Sequence, residues 1–433
     1  MSRALTVAAV LLAAAGAAGA DEGALEVHGQ ATYAYQAKPA LHSPYEGQNS
    51  LRGARERGYT VTATMFLGAR LPQGTELYLN PEVVQAVGFS GLHGLGGFAN
   101  GEFQRGSGPE LKLYRARLFL RHAWNLGGDL EEQASEANQV RTRYKAERLV
   151  LTLGNVSVLD VFDALDYSRD PRTQFMNWSS LTYGAWDYPA DARGYTWGAA
   201  LEYLSPGWQL RAGRFLVPVE SNGLTLDRHF TQRYGDVAEL EVPYRLGEHP
   251  AVVRALVFRN RVHAGAFGDA LALGAATGAT PDLTLVRRNQ SKSGIGLSTQ
   301  VEITPSLGAY ARAGWNDGKT ETFMFTEIDR SLSGGLLAKG DAWGRPQDSA
   351  GAAVYLNGLS GAHRSYLAAG GLGFFLGDGR LSYASERIFE TFYSLGVARG
   401  AWVSLGYQRI ANPGYNADRG PANFVGFRIH GEI

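Results

Sequence analysis

Residues 423–433 read NFVGFRIHGEI. Val425, Phe427, Ile429 and Ile433 fall on one face of an extended chain, with Gly431 among them, while Arg428, His430 and Glu432 fall on the other. A strand with one greasy and one charged face at the end of a chain has no capping element after it. In a sandwich it would be a naked edge, whereas a closed barrel pairs it with the first strand and removes the edge. The start of the chain offers that partner. Leu25, Val27, Ala31, Tyr33 and Tyr35 alternate with Glu26, His28, Gln30, Thr32 and Gln36.

The same period of two recurs between these ends. Tyr59, Val61, Ala63, Met65, Leu67 and Ala69 oppose Thr60, Thr62, Thr64, Phe66 and Arg70, and Leu77 and Leu79 oppose Glu76, Tyr78, Asn80 and Glu82. A further run sets Arg115, Arg117 and Arg121 against Tyr114, Ala116, Leu118 and Leu120. An arginine facing lipid near the midplane costs about 2–4 kcal/mol, so this row is expected to face a wet lumen. Other strands are expected at 148–154, 195–204, 208–217, 237–246, 251–260, 294–304, 307–316, 352–359, 390–398 and 401–410. Transmembrane strands take about ten residues each, so the length fits a single antiparallel β-barrel of roughly 16 to 18 strands, with 16 preferred.

Composition agrees with an exported membrane protein. Residues 1–20 carry Arg3, an Ala/Val/Leu run and Ala18-Gly19-Ala20 before Asp21, the pattern of a cleaved signal peptide, which leaves 21–433 as one barrel domain. There is no cysteine, so neither disulfides nor thiolate metal sites can brace the fold. Forty-one basic residues balance 41 acidic ones, which argues against wholesale nucleic-acid binding. Six of the basic residues are Lys and 35 are Arg, and the guanidinium fork suits a wall that grips vicinal oxygens.

Two stretches break the alternation. Residues 87–109 are Gly-rich and too long for a periplasmic turn, and are expected to form an outer or in-folded loop. Residues 155–194 carry Asp160, Asp163, Asp166, Asp170, Asp187 and Asp191 beside Arg169, Arg172 and Arg193, with Trp178, Trp186 and Tyr188 interleaved. About forty residues without strand periodicity inside a barrel point to a loop that folds into the channel and constricts it.

This second stretch (LDVFDALDYSRDPRTQFMNW from Leu159, then GAWDYPADARGYTWG) resembles the carbohydrate-selective, OprB-like porins of bacterial outer membranes. The similarity continues through RAGWNDGKTETFMFTEIDRSLSGG (Arg312–Gly335), WGRPQDSAG (Trp343–Gly351), HRSYLAAGGLGFFLGDG (His363–Gly379) and IANPGYNADRGP (Ile410–Pro421). The family's terminal strand closes on an aromatic residue, whereas this chain ends on Ile433. The resemblance implies a passive outer-membrane channel for small sugars, often glucose. It also implies contact with outer-membrane lipid and lipopolysaccharide, and insertion by the barrel-assembly machinery; it does not fix the oligomeric state.

Sugars present hydroxyls around the ring and C–H groups on its faces, so a sugar pore needs charged or amide groups for the first and aromatic surfaces for the second. The substrate and constriction candidates are therefore Glu82, Glu102, Arg115, Arg117, Asp170, Arg172, Asn177, Trp178, Trp186, Asp187 and Arg193. Charges inside a barrel also pair with one another, and loop tryptophans also pin loops. A general or anion-selective porin is the alternative reading. No cofactor, metal site or catalytic residue is expected: the nine histidines are scattered without H-E-x-x-H spacing, G-x-S-x-G is absent, and GLGGFA from Gly94 lacks a strand–helix frame.

Overall fold

The computed structural model describes residues 25–94, 98–106 and 108–433; the signal-peptide segment lies outside them. Sixteen strands form one closed antiparallel barrel in simple sequential order. They are β1 (Leu25–Lys38), β2 (Glu56–Leu71), β3 (Thr75–Val87), β4 (Gly108–Gln133), β5 (Thr142–Val156), β6 (Thr196–Leu204), β7 (Gln209–Phe215), β8 (Tyr234–Leu246), β9 (His249–Ala264), β10 (Arg288–Thr304), β11 (Leu307–Asn316), β12 (Arg330–Lys339), β13 (Ser349–Gly358), β14 (Glu386–Ala398), β15 (Ala401–Ala411) and β16 (Ala422–Glu432). No described helix is long and apolar enough to cross a membrane.

The terminal strands close the barrel. β16 pairs with β1 in the register Thr32↔His430, Tyr33↔Ile429 and Tyr35↔Phe427. Gly29 and Ile433 exchange both backbone hydrogen bonds at 3.0 Å. The alternation has the expected sense: Val425 and Ile429 are 55% and 47% exposed on the outer wall, while Arg428 and His430 are each 2% exposed inside. His430 Nδ1 meets Thr32 Oγ1 at 2.7 Å across the seam, and outside it Phe427 packs on Tyr33 and Tyr35.

Short connections gather at the end that carries both termini, such as residues 72–74, 205–208, 247–248, 305–306 and 399–400, and the long ones gather at the other. Short turns face the periplasm in such barrels. The outer connections carry most of the helix: a single turn, α1 (Phe103–Gly106), then α2 (Phe267–Thr277) and α3 (Gly361–Ala368).

Two features depart from the sequence reading. β12 (RSLSGGLLAK) was not expected as a strand, because Ser331, Ser333, Gly334 and Gly335 dilute the alternation that Leu332 and Leu336 carry outward. The arginine row of β4 is also broken. Asn80 pairs with Arg117 while its neighbour Pro81 pairs with Arg115, so Ala116 is an extra residue in the ladder. This bulge resets the alternation. Tyr114 consequently points inward, where its hydroxyl donates to Glu82, and Arg115 is exposed on the outer wall over the ring of Trp197. Arg117 and Arg121 face the lumen as expected.

Candidate functional site

Residues 157–195, between β5 and β6, fill much of the barrel. Phe162, Phe175, Tyr183 and Trp186 are each at most 1% exposed and pack with Phe215, Phe258, Tyr310 and Phe392 of the wall into one apolar cluster. Polar anchors tie the same segment to strands around the circumference. Arg312 pairs with Asp163 at 2.9 Å, Gln300 donates to Asp166 at 2.6 Å, and the Glu390 carboxylate accepts the Met176 N–H at 2.6 Å. Arg428 donates to the carbonyls of Pro171, Thr173 and Gln174 at 2.8–2.9 Å. A loop held this way is a packed wall and not a flap, since each anchor would leave a buried polar group unsatisfied if it opened.

The packing is one-sided. A cavity of about 550 Å³ remains against β1, β2, β4 and β16, and none of its lining residues comes from β7–β15. Its lining includes Arg105, Arg117, Arg121, Arg169, Arg172 and Arg193, facing Glu102, Glu136, Asp160, Asp163, Asp170, Asp191 and Glu432, with Phe66, Phe119, Trp178, Tyr188, Tyr195 and Phe325 between them. That volume lies within the roughly 300–1,000 Å³ typical of small-molecule sites.

Arg172 sits at the centre of this wall. Its Nε donates to Glu102 at 2.9 Å, Nη2 to Glu82 at 2.8 Å and Nη1 to Thr64 at 3.1 Å. One guanidinium thereby joins the in-folded segment to β2, to β3 and to the β3–β4 loop. Arg105 repeats the theme with Glu102 at 3.1 Å, Glu82 at 3.4 Å and the Tyr195 hydroxyl at 2.5 Å. Arg117 grips Asp160 with two parallel bonds of 2.6 and 2.7 Å. Burial alone would raise the Asp160 pKa, yet the Arg117 guanidinium and the Ser157 N–H hold it below the usual carboxylate range. Arg105 and Arg117 each lie 5.2 Å from the centroid of the Tyr195 ring, and Arg193 lies over Tyr114 at 4.4 Å.

Of the eleven candidates, Glu102, Arg117, Asp170, Arg172, Trp178 and Arg193 line the cavity. Trp178 does so by an edge: its ring stacks between Phe98 and Phe325, and its Nε1 donates to the Asn100 carbonyl. Four others stand behind the lining. Glu82 is fully buried beneath Arg172. Asn177 caps the turn at Trp178–Ser180 and bonds Gln408. Trp186 is buried in the apolar cluster. Asp187 accepts the N–H groups of Phe323, Met324 and Phe325 at 2.8–3.0 Å and so holds the β11–β12 loop. Arg115 lies outside the lumen altogether, because of the bulge at Ala116.

The sequence reading missed Arg105, Tyr195 and Asp160 as site candidates. Arg105 stands in the Gly-rich 87–109 run, whose aperiodicity was the available signal. It missed the tip of the β4–β5 hairpin entirely: Glu136, Ala137, Asn138 and Gln139 line the same cavity at its periplasmic end. Among the described residues no group of acidic and histidine side chains is placed to hold a metal ion.

The fold has solved relatives. The structure of Pseudomonas putida OprB at high pH superimposes with a TM-score of 0.65 at 15% identity, over 95% of this chain and 94% of that one, and its low-pH form with 0.50 at 12% identity over 95% and 93%. The outer-membrane channel DcaP of Acinetobacter baumannii gives 0.51 at 10% identity over 96% and 99%. These likenesses show the barrel alone. No curated protein matches the chain. The family model described as "Carbohydrate-selective porin, OprB family" matches residues 48–432. The chain therefore belongs to the OprB family of carbohydrate-selective porins, as an integral protein of the outer membrane.

Proposed function

We propose that small neutral sugars of glucose size diffuse through the cavity beside the in-folded segment, handed between guanidinium and carboxylate groups of its wall. The observation that carries this reading is charge balance: six arginines and seven acids line the cavity. A wall built to select anions would leave the cations in excess, whereas paired ions present alternating donors and acceptors to hydroxyls without a net field. Passage needs weak, repeated binding, and the ladder Arg117–Asp160, Arg105–Glu102 and Arg172–Glu102 offers several equivalent stations. Glu102, Arg117, Asp170, Arg172 and Arg193 are the contact residues in this reading, joined by Arg105, Asp160 and Tyr195. Trp178 presents its edge to the cavity, and Glu82, Asn177, Trp186 and Asp187 shape the constriction from behind. The barrel of residues 21–433 acts as one domain once residues 1–20 are removed, is inserted by the barrel-assembly machinery, and conducts without catalysis.

Planar-bilayer recording tests the proposal. Glucose should block salt current in a concentration-dependent way, with a reversal potential near zero in a salt gradient. Strong anion preference without any block by sugar would replace it with the anion-porin reading.

A further inference from the structure

The β4–β5 hairpin is longer than its place in the wall requires. β3 pairs with β4 only as far as Thr75↔His122, and β6 with β5 only as far as Arg148↔Leu204, so residues 126–147 project beyond both neighbours on the periplasmic side. The hairpin ladder breaks register twice where it leaves the barrel, between Asn125 and Gly127 and between Gly127 and Leu130, and Gly128 has φ +80°. Such bulges bend a two-stranded ribbon sharply.

The bend returns the tip to the lumen. Ser135 donates to Glu26 and meets His28 Nε2 at 2.8 Å, and the Arg141 N–H donates to Glu26 at 2.9 Å, all on β1. The Val140 N–H donates to the Tyr78 hydroxyl at 3.1 Å, Tyr144 donates to Glu76, and Arg121 donates to the Asn138 carbonyl at 3.3 Å. Val140 is 1% exposed, beside Gly68 of β2, where a Cβ would lie 2.7 Å from its methyl carbon. The tip is thus seated on three neighbouring strands, β1, β2 and β3, and on the lumen-facing part of its own β4. Glu136 and Gln139 close it with a pair of backbone bonds at 2.9 and 3.0 Å, and Asn138 takes the left-handed conformation that the turn requires.

We propose that this hairpin is a second constriction, in series with the first, at the periplasmic mouth, and that sugar leaves past the polar rim of Glu136, Asn138 and Gln139. These residues line the same cavity as Arg117 and Arg172, with Gln30 and Glu432 of the seam at their level. Carboxylate and amide groups there continue the hydroxyl-binding chemistry of the upper wall. The inference rests on the sugar-channel reading for its substrate, but the narrowing itself is read by salt current.

Two variants test it. The first replaces residues 134–141 by Asn-Gly, a two-residue turn suited to joining β4 to β5 after Gln133↔Thr142. Removing one of two comparable resistances in series roughly doubles single-channel conductance in salt, and entry of a trisaccharide should rise more than that of glucose. The second is Ala137→Cys in a chain without cysteine, modified by thiol reagents of increasing size. It leaves the hairpin intact, and current should fall stepwise with reagent size. Unchanged conductance in a folded first variant, judged by heat-modifiable migration, or unchanged current after complete labelling of the second, would overturn the proposal. Raised conductance without any sugar block would leave the second constriction standing and remove the sugar reading instead.

Discussion

Arg117 donates to Asp160 through both Nε and Nη2, so truncating it removes one ladder rung and leaves the carboxylate facing the cavity without its paired cation, held by the Ser157 N–H. Arg117→Ala should raise conductance, move the reversal potential toward cation preference and weaken glucose block, all measurable in one bilayer experiment. Arg115→Ala, two residues away on the outer wall, should change none of the three. Arg172→Ala belongs to a different class, since it leaves Glu82 and Glu102 to share Arg105 as their one remaining cation in a buried wall. Breaking a buried pair from one side costs about 3–5 kcal/mol where the remaining charge is uncompensated; Arg105 offsets part of that here, and this variant should still lower the urea midpoint of the micelle-bound protein as well as loosen the pore. At this scale the sequence identified the residue types but not their order in depth. Glu102 and Arg105 show why: both lie in a Gly-rich run with no period from which an inward direction could be read.

The elements between residues were legible where side chains alternate by size and polarity. β1 and β16 carried aromatic and aliphatic groups on one face and His, Arg, Gln and Thr on the other, and they close the barrel as that pattern requires. β12 escaped notice because Gly334 and Gly335 sit where a pattern needs side chains, and the facing of β4 misled because a single inserted Ala116 inverts everything before it. The outer connections form a cap with a testable element of its own, where Glu327 of the β11–β12 loop meets His363 of α3 and the N–H groups of Phe375 and Leu376 before β14. Burial pushes Glu327 up to about 7 from its ordinary 4.5, against the pull of His363, of the Phe375 and Leu376 N–H groups and of Lys292. The folded cap therefore retains a proton that the opened segment has lost. The contribution of Glu327 to stability is fullest below pH 4.5 and falls as the pH rises toward about 7. Asp329, held down to about 2 by His363 and the Ser360 N–H against the opposing effect of burial, titrates below that window. Protection of the Phe375 and Leu376 amides, corrected for intrinsic exchange, should decline across this range in the native protein, and Glu327→Gln should flatten the decline.

At the scale of the molecule, a barrel wall and an in-folded segment divide the work. The wall from β7 to β15 packs apolar and aromatic groups against residues 157–195, and the opposite side keeps the polar channel. The barrel and the presence of a constricting segment could be read from the period of two and from the forty residues that lack it, and the strand number from the length of the chain at about ten residues per strand. The eccentric placement of the channel could not, because it depends on contacts such as Glu390 with Met176 that span 214 residues. Nor could the hairpin tip, whose partners on β1 lie more than 100 residues away.

The most direct measurement is liposome swelling with the purified, folded protein, comparing glucose with a zwitterionic amino acid and a sugar acid of similar size. A charge-balanced wall of paired arginines and carboxylates requires glucose to enter faster than both ionic solutes. Equal rates for all three, or faster entry of the sugar acid, would contradict it.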